Sequence, residues 1–257
     1  MEKTESLVHG IVNILTDTIR GERQLDEMTF YRIQKQLETA PHDEWREYAY
    51  ALLSQLVKDK ESTIRHFRDS LSMAPHEPVA YNYLMCLKCF VPHCEHMKTS
   101  IQLAREFKSV RILKEAYRDC IEMLSFEKAE DVIRLCVQFS PEEGENMRND
   151  INEVRASMEK FMLYGNMNEA DVRAIANDMI DVANANEARI VSSEFVQIKE
   201  HWVNSFTMYV CGVTAETMAD MQFQLADKLA VRNNLSPVNF SAGFMDGDAL
   251  EREYVRQ

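Results

Sequence analysis

Glycine is scarce, with seven in 257 residues, and none of them builds the loop that cradles phosphates in nucleotide-binding proteins. The Gly-x-Ser-x-Gly and His-Glu-x-x-His patterns are also missing, so no signature of acyl transfer or zinc hydrolysis is present and no cofactor is expected. No apolar run approaches the roughly 18 residues that a membrane-spanning helix requires. Met1 is followed by the polar Glu2-Lys3-Thr4-Glu5, and no cleavable signal pattern is seen. Positive charge is in deficit: 29 Lys and Arg stand against 42 Asp and Glu, a net charge of −13. Nucleic acids and anionic membranes bind clustered cations that displace counterions, so neither is expected as a partner. The deficit is spread along the chain, since 14 acidic and 7 basic side chains from Asn166 to Gln257 leave −7, and the stretch from Met1 to Gly165 holds the other −6. The six cysteines sit in or beside apolar patterns, as reduced structural cysteines do, and point to a reducing, cytoplasmic setting.

What the chain has in quantity is helical periodicity. Between Asp43 and Pro75, Tyr48, Ala51, Leu52, Gln55 and Leu56 recur at three-and-four spacing, and Ile64, Phe67, Ser70 and Leu71 do so after the polar break Lys58-Asp59-Lys60-Glu61-Ser62. Proline lacks an amide and disfavours helix in the residue before it, so Pro75 ends the second helix. Pro41, Pro75 and Pro141 close similar stretches. The first two prolines are one helix-pair repeat apart and the last two are close to two repeats apart, with Ser109 where an intervening proline would fall. Core places in the following unit go to Leu84, Met85, Met97, Ile101 and Ala104, and in the next to Ala116, Tyr117, Ala129, Ile133 and Cys136.

The unit resembles a tetratricopeptide repeat (TPR), on Ala51 as the small residue of the first helix, Phe67 as the aromatic of the second, Leu71, and the closing Pro75. Thr63 stands where that family has alanine, and Lys58 where it has glycine. The resemblance implies an antiparallel helix-pair solenoid over residues 1–162, in which successive first helices line a concave face. Carried onto this chain, that face holds Trp45, Tyr48, Leu52 and Gln55, then Val79, Asn82, Cys86 and Cys89, then Arg111, Lys114, Arg118 and Ile121, running from aromatic to basic. Such a gradient suits a protein or peptide partner with an acidic end. The family's carboxylate-clamp residues are not reproduced.

Before the repeats, Leu7, Val8, Ile11, Val12, Leu15 and Ile19 form an apolar stripe that Gly21 ends. After them, Ser140-Pro141-Glu142-Glu143 opens a helix over 142–162, striped by Met147, Ile151, Val154, Met158 and Phe161, that caps the stack. Leu163-Tyr164-Gly165-Asn166 marks a domain boundary. Residues 166–257 then read as helix, strand, strand, helix, strand: Asn168 and Thr214 cap the helices, Ala188 to Ile198 and Trp202 to Cys211 are strands, and Val238 to Phe244 is the last. The fold class is therefore mainly α with a small α+β domain, ferredoxin-like but without a first strand unless Phe161 to Tyr164 supplies one. A missing strand leaves an open edge, which either pairs in a homodimer or is covered by the preceding helix or the tail.

Two clusters bear on metal binding. Cys86-Leu87-Lys88-Cys89-Phe90-Val91-Pro92-His93-Cys94-Glu95-His96 packs five zinc-competent side chains into one short stretch, of which Cys86, Cys89 and His93 form the best-placed set. Its spacing matches no common zinc finger, so packing is the expected role and no metal is assigned. Asp246-Gly247-Asp248 with Glu251 and Glu253 reads as a solvated turn, and His201 beside Trp202 as a strand end. The function expected is a non-catalytic adaptor that binds a partner in the repeat groove and dimerises or recruits through the α+β domain. The competing class is an enzyme or small-molecule sensor, with the repeats as its regulatory arm.

Overall fold

The computed structural model describes residues 2–198, 203–232, 235 and 239–248. The protein is mostly helical, with a small three-stranded sheet near its C-terminus. The helices are α1 (Glu2–Ile19), α2 (Glu27–Thr39), α3 (Glu44–Leu56), α4 (Lys60–Met73), α5 (Glu77–Leu87), α6 (His93–Phe107), α7 (Val110–Glu122), α8 (Phe126–Phe139), α9 (Pro141–Gly165), α10 (Glu169–Ala185) and α11 (Ala215–Ala230). The strands are β1 (Arg189–Ile198), β2 (Val203–Cys211) and β3 (Ser241–Asp246). No described helix is long and apolar enough to cross a membrane. The chain forms two compact units, Met1–Phe90 and Val91–Gln257. The division falls in the turn after α5, whereas the chain stays within one unit across Asn166, where the sequence changes character.

The helix pairs keep a strict register. Helices α2, α4, α6 and α8 begin at Glu27, Lys60, His93 and Phe126, and α3, α5 and α7 begin at Glu44, Glu77 and Val110. Both series advance by one constant interval, the length of a helix-pair repeat. Equivalent places are buried throughout: Leu37, Ser70, Leu103 and Cys136 are at most 6% exposed. Asp26, Asp43 and Asp59 each accept a hydrogen bond from a backbone amide three residues on, at 2.8, 2.8 and 3.1 Å, which satisfies orphan donors at the helix starts. Two of the tight turns share one geometry. Lys58 and Leu124 are left-handed (φ 57° and 49°), and the next amides, Asp59 and Ser125, donate to Ser54 O and Cys120 O to close the helix ends. Lys58 thus takes a left-handed conformation, which glycine adopts more readily than lysine.

Not every expected feature takes the expected form. Ser140 precedes α9 but makes no side-chain capping bond; its own amide donates to Cys136 O at 2.8 Å and still belongs to the end of α8. Tyr117, large for a close helix contact, is buried and sends its hydroxyl to α9, donating to Asp150 Oδ2 at 2.6 Å and lying 3.0 Å from Met147 O. Gly144 lets α9 lie close to α8, because a Cβ there would come 2.9 Å from the Val137 backbone nitrogen.

The sheet departs from the ferredoxin-like expectation. Its order is β1-β2-β3, with β1 and β2 antiparallel and β2 and β3 parallel. A parallel neighbour cannot be joined by a tight turn, and α11 is the crossover between β2 and β3. The last strand therefore lies directly beside β2, with no further strand between them. Phe161 to Tyr164 is not that strand; these residues lie in α9. Phe161 is fully buried and packs on Phe195 of β1 (ring centroids 5.1 Å apart) and Phe206 of β2 (6.3 Å), while Phe195 and Phe206 stack at 4.4 Å. Asn204 of β2 ties the same spot by donating to Phe161 O at 3.1 Å. Asn204, Phe206, Met208 and Val210 alternate as buried residues along β2, as the sequence alternation requires, and Cys211 is buried at its end. Asn168 and Asp171 exchange hydrogen bonds in a capping box at the start of α10, and Thr214 caps α11.

The two left-handed turns make opposite predictions. Lys58 is exposed, so Lys58→Gly relieves about 1–2 kcal/mol of left-handed strain against about 0.5–1 kcal/mol of added chain entropy, and should stabilise the protein slightly. Leu124 is 0% exposed; Leu124→Gly forfeits its burial and should destabilise by about 2–4 kcal/mol. Denaturation midpoints of the two variants check this.

Candidate functional site

In the first unit, Trp45 lies on α3 between two imidazoles, with ring centroids 4.6 Å from His9 and 5.0 Å from His76. Tyr48, one turn on, is 4% exposed and accepts a hydrogen bond from the Asn82 side-chain amide. Burial pushes the Tyr48 hydroxyl's pKa above its ordinary value, so it stays protonated. Tyr48 and Asn82 therefore join α3 to α5; Tyr48 is buried, while Asn82, Trp45 and Gln55 are half-buried. In the second unit, Arg111 and Lys114 are exposed on α7, and Lys114 Nζ lies 2.8 Å from Glu143 Oε1. Arg118 is half-buried and faces Glu115 of its own helix at 3.4 Å. The expected cations are thus present but partly neutralised by neighbouring acids.

The cysteine-histidine stretch is arranged differently from the expected ligand set. Cys86 is buried and its thiol is pushed up to about 12, chiefly by desolvation, so it is not a ready thiolate. Cys89 is exposed. His93 opens α6 and directs Nε2 to Glu122 Oε2 of α7, 3.0 Å away, rather than serving a cysteine set. Asp246 and Asp248 are exposed and form a turn in which the Asp248 amide donates to Asp246 Oδ1 at 2.9 Å. Glu251, Glu253, His201 and Trp202 lie outside the described residues.

Between α6 and α7 runs a polar ladder that helical periodicity does not disclose. His93 and His96 are one turn apart on α6, as are Asp119 and Glu122 on α7, and the antiparallel run of the helices pairs them crosswise. His96 Nδ1 lies 2.9 Å from Asp119 Oδ2, which also accepts from Ser100 Oγ at 2.5 Å. Exposure falls along the ladder, from 11% for the His93 side chain and 5% for Glu122 to 1% and 0% for His96 and Asp119. In the repeat register, His96 falls where the neighbouring repeats have Thr63 and Ala129, and Asp119 where they have Leu53 and Cys86. Two core places have been given to a polar histidine–aspartate pair. The signal is present in the sequence, but only an aligned repeat displays it, because neither helix alone marks these positions as buried.

His93, Asp119 and Glu122 offer one ligand atom each, all within 4.8 Å of one another, as do Glu47, His66 and Asp69 in the first unit. These are the two such groups among the described residues. They differ in how fully the acid is already paired. Both Glu47 oxygens face histidines, His42 Nε2 at 3.1 Å and His66 Nδ1 at 2.6 Å, whereas Glu122 Oε1 is buried without a hydrogen-bond partner.

No protein-family model, curated protein or solved structure matches the chain.

Thiol chemistry checks the burial of this region. Cys120 is also pushed up to about 12 by desolvation, Cys136 is raised for the same reason, and Cys211 is buried. In the native protein a disulfide reagent at neutral pH should label Cys89 and Cys94 quickly and the other four only after unfolding. Replacing Cys89 and Cys94 by serine should remove the fast phase entirely.

Proposed function

We propose that the chain is a helical-repeat interaction protein, a stack of TPR-like helix pairs that captures a protein or peptide partner. The observation that supports this reading is the constant interval between helix starts from Glu27 to Phe126, which gives successive pairs equivalent surfaces. Proteins of that construction work through extended faces rather than enclosed clefts. The aromatic rung at Trp45 is one anchoring surface, and Arg111 with Lys114 is a cationic one suited to acidic side chains. Tyr48 and Asn82 join α3, which carries Trp45, to α5.

The sheet belongs to the same reading. Its outer strands, β1 and β3, each pair on one side within the described residues, and pairing with a second copy or another chain through such an edge is the role proposed for it. The reading assigns the protein to the cytoplasm, with no cofactor required for capture.

A library of short acidic peptides, each with one aromatic or aliphatic anchor, tests the proposal against full-length protein. Some members should bind saturably, and reversing both cations (Arg111→Glu with Lys114→Glu) should weaken them about tenfold, roughly 1.4 kcal/mol, without changing helical circular dichroism. Absence of saturable binding across the library, or binding indifferent to the charge reversal, would overturn it.

A further inference from the structure

We propose that His93, Asp119 and Glu122 form a binding site for a divalent transition-metal cation in the seam between α6 and α7. Nothing in the partner-binding reading requires this site, and it stands on separate observations.

The donor set and its spacing fit such an ion. One imidazole and two carboxylates suit borderline cations such as Zn²⁺ or Co²⁺ rather than soft Cu⁺ or a hard alkaline-earth ion. A Zn²⁺ ion takes N and O ligands at about 2.0–2.2 Å, which sets neighbouring ligand atoms about 3–3.5 Å apart. His93 Nε2 and Glu122 Oε2 are already 3.0 Å apart, and the whole trio lies within 4.8 Å, so small side-chain shifts close the set. The ligands also come from two antiparallel helices whose inward residues are spaced by one turn, a construction that holds metals in helical bundles.

The unpaired oxygen is the second observation. Glu122 is 4% exposed and its Oε1 has no hydrogen-bond partner. An orphaned carboxylate oxygen is costly in a buried place, and a cation supplies the missing partner. A dication bound by a neutral His93 also offsets the two carboxylates, which are buried in the seam with Glu122 4% and Asp119 0% exposed.

The surroundings are those of a metal site's supporting groups. Ser100 donates to Asp119, and His96 lies against the same oxygen, which fixes the carboxylate's rotation. The His93 backbone amide donates to Asn184 Oδ1 of α10 at 3.2 Å, so the end of α6 that bears the imidazole is itself anchored. The gradient of exposure makes His93 the rim and Asp119 the floor, which gives an ion a route in.

The test uses full-length, chelator-treated protein titrated with Zn²⁺ by calorimetry and with Co²⁺ by visible absorption. One equivalent should bind with micromolar or tighter affinity, and the cobalt spectrum should lack a thiolate charge-transfer band. His93→Gln and Glu122→Gln should each weaken binding at least tenfold, and Ser100→Ala should weaken it less, because serine only orients a ligand. Glu47→Gln and the triple Cys86, Cys89 and Cys94 to serine change should leave binding intact. If the His93 or Glu122 variant fails to fold, the unsubstituted protein still decides the matter, since Co²⁺ should shift or broaden the His93 and His96 ring protons before those of His42 and His66. No saturable binding, binding lost with the cysteines, or first effects at His42 and His66 would overturn the proposal and leave the ladder as a purely structural contact.

Discussion

The register of helix starts constrains everything built on it. Because every pair has the same length, a given place in the pair returns to a buried seam every time, so Leu37, Ser70, Leu103 and Cys136 are interchangeable in position though not in chemistry. Ser70 uses its hydroxyl to reach Glu44 O at 2.8 Å, and Thr63 bonds Asp59 O at 2.6 Å, so their buried polar atoms are satisfied locally. Lys58 and Leu124, which stand two repeats apart, share one left-handed turn geometry although the first is exposed and the second buried, whereas Val91, at the place between them in the register, does not take it.

At the end of the helices, the chain changes from helical to strand periodicity, and one side chain makes the join. Phe161 belongs to α9 by backbone and to the sheet by contact, lying against Phe195 and Phe206. This is why α9 does more than close off the helices before it. Its first turns receive the Tyr117 hydroxyl, and its last turn is the aromatic base on which β1 and β2 sit.

Much of this is legible in the residues themselves. The helix pairs follow from apolar spacing at Ala51, Leu52, Ile64 and Phe67, and the strand faces from the alternation of Phe206, Met208 and Val210, because both periods are local. The strand order is not legible: whether β3 lies beside β2 or at a far edge depends on a long-range pairing through α11. The repeat resemblance sets Tyr48 and Asn82 on successive first helices, but only the fold shows them spent on each other. His93 groups in the sequence with the cysteines nearest to it, since adjacency in the chain is visible and adjacency across an antiparallel seam is not.

The polar ladder is the place where the chain departs from its own register, with His96 and Asp119 in core positions of a repeat. A buried polar pair broken on one side leaves the other partner unsatisfied, whereas an apolar pair of similar volume can replace it at little cost. The most direct measurement is a double-mutant cycle with residues found at those places in neighbouring repeats, His96→Ala and Asp119→Leu. Each single change should destabilise the protein by about 3–5 kcal/mol, while the double variant should return to wild-type stability or exceed it. A double variant as unstable as the sum of the two singles would contradict the register and the core assignment that rests on it.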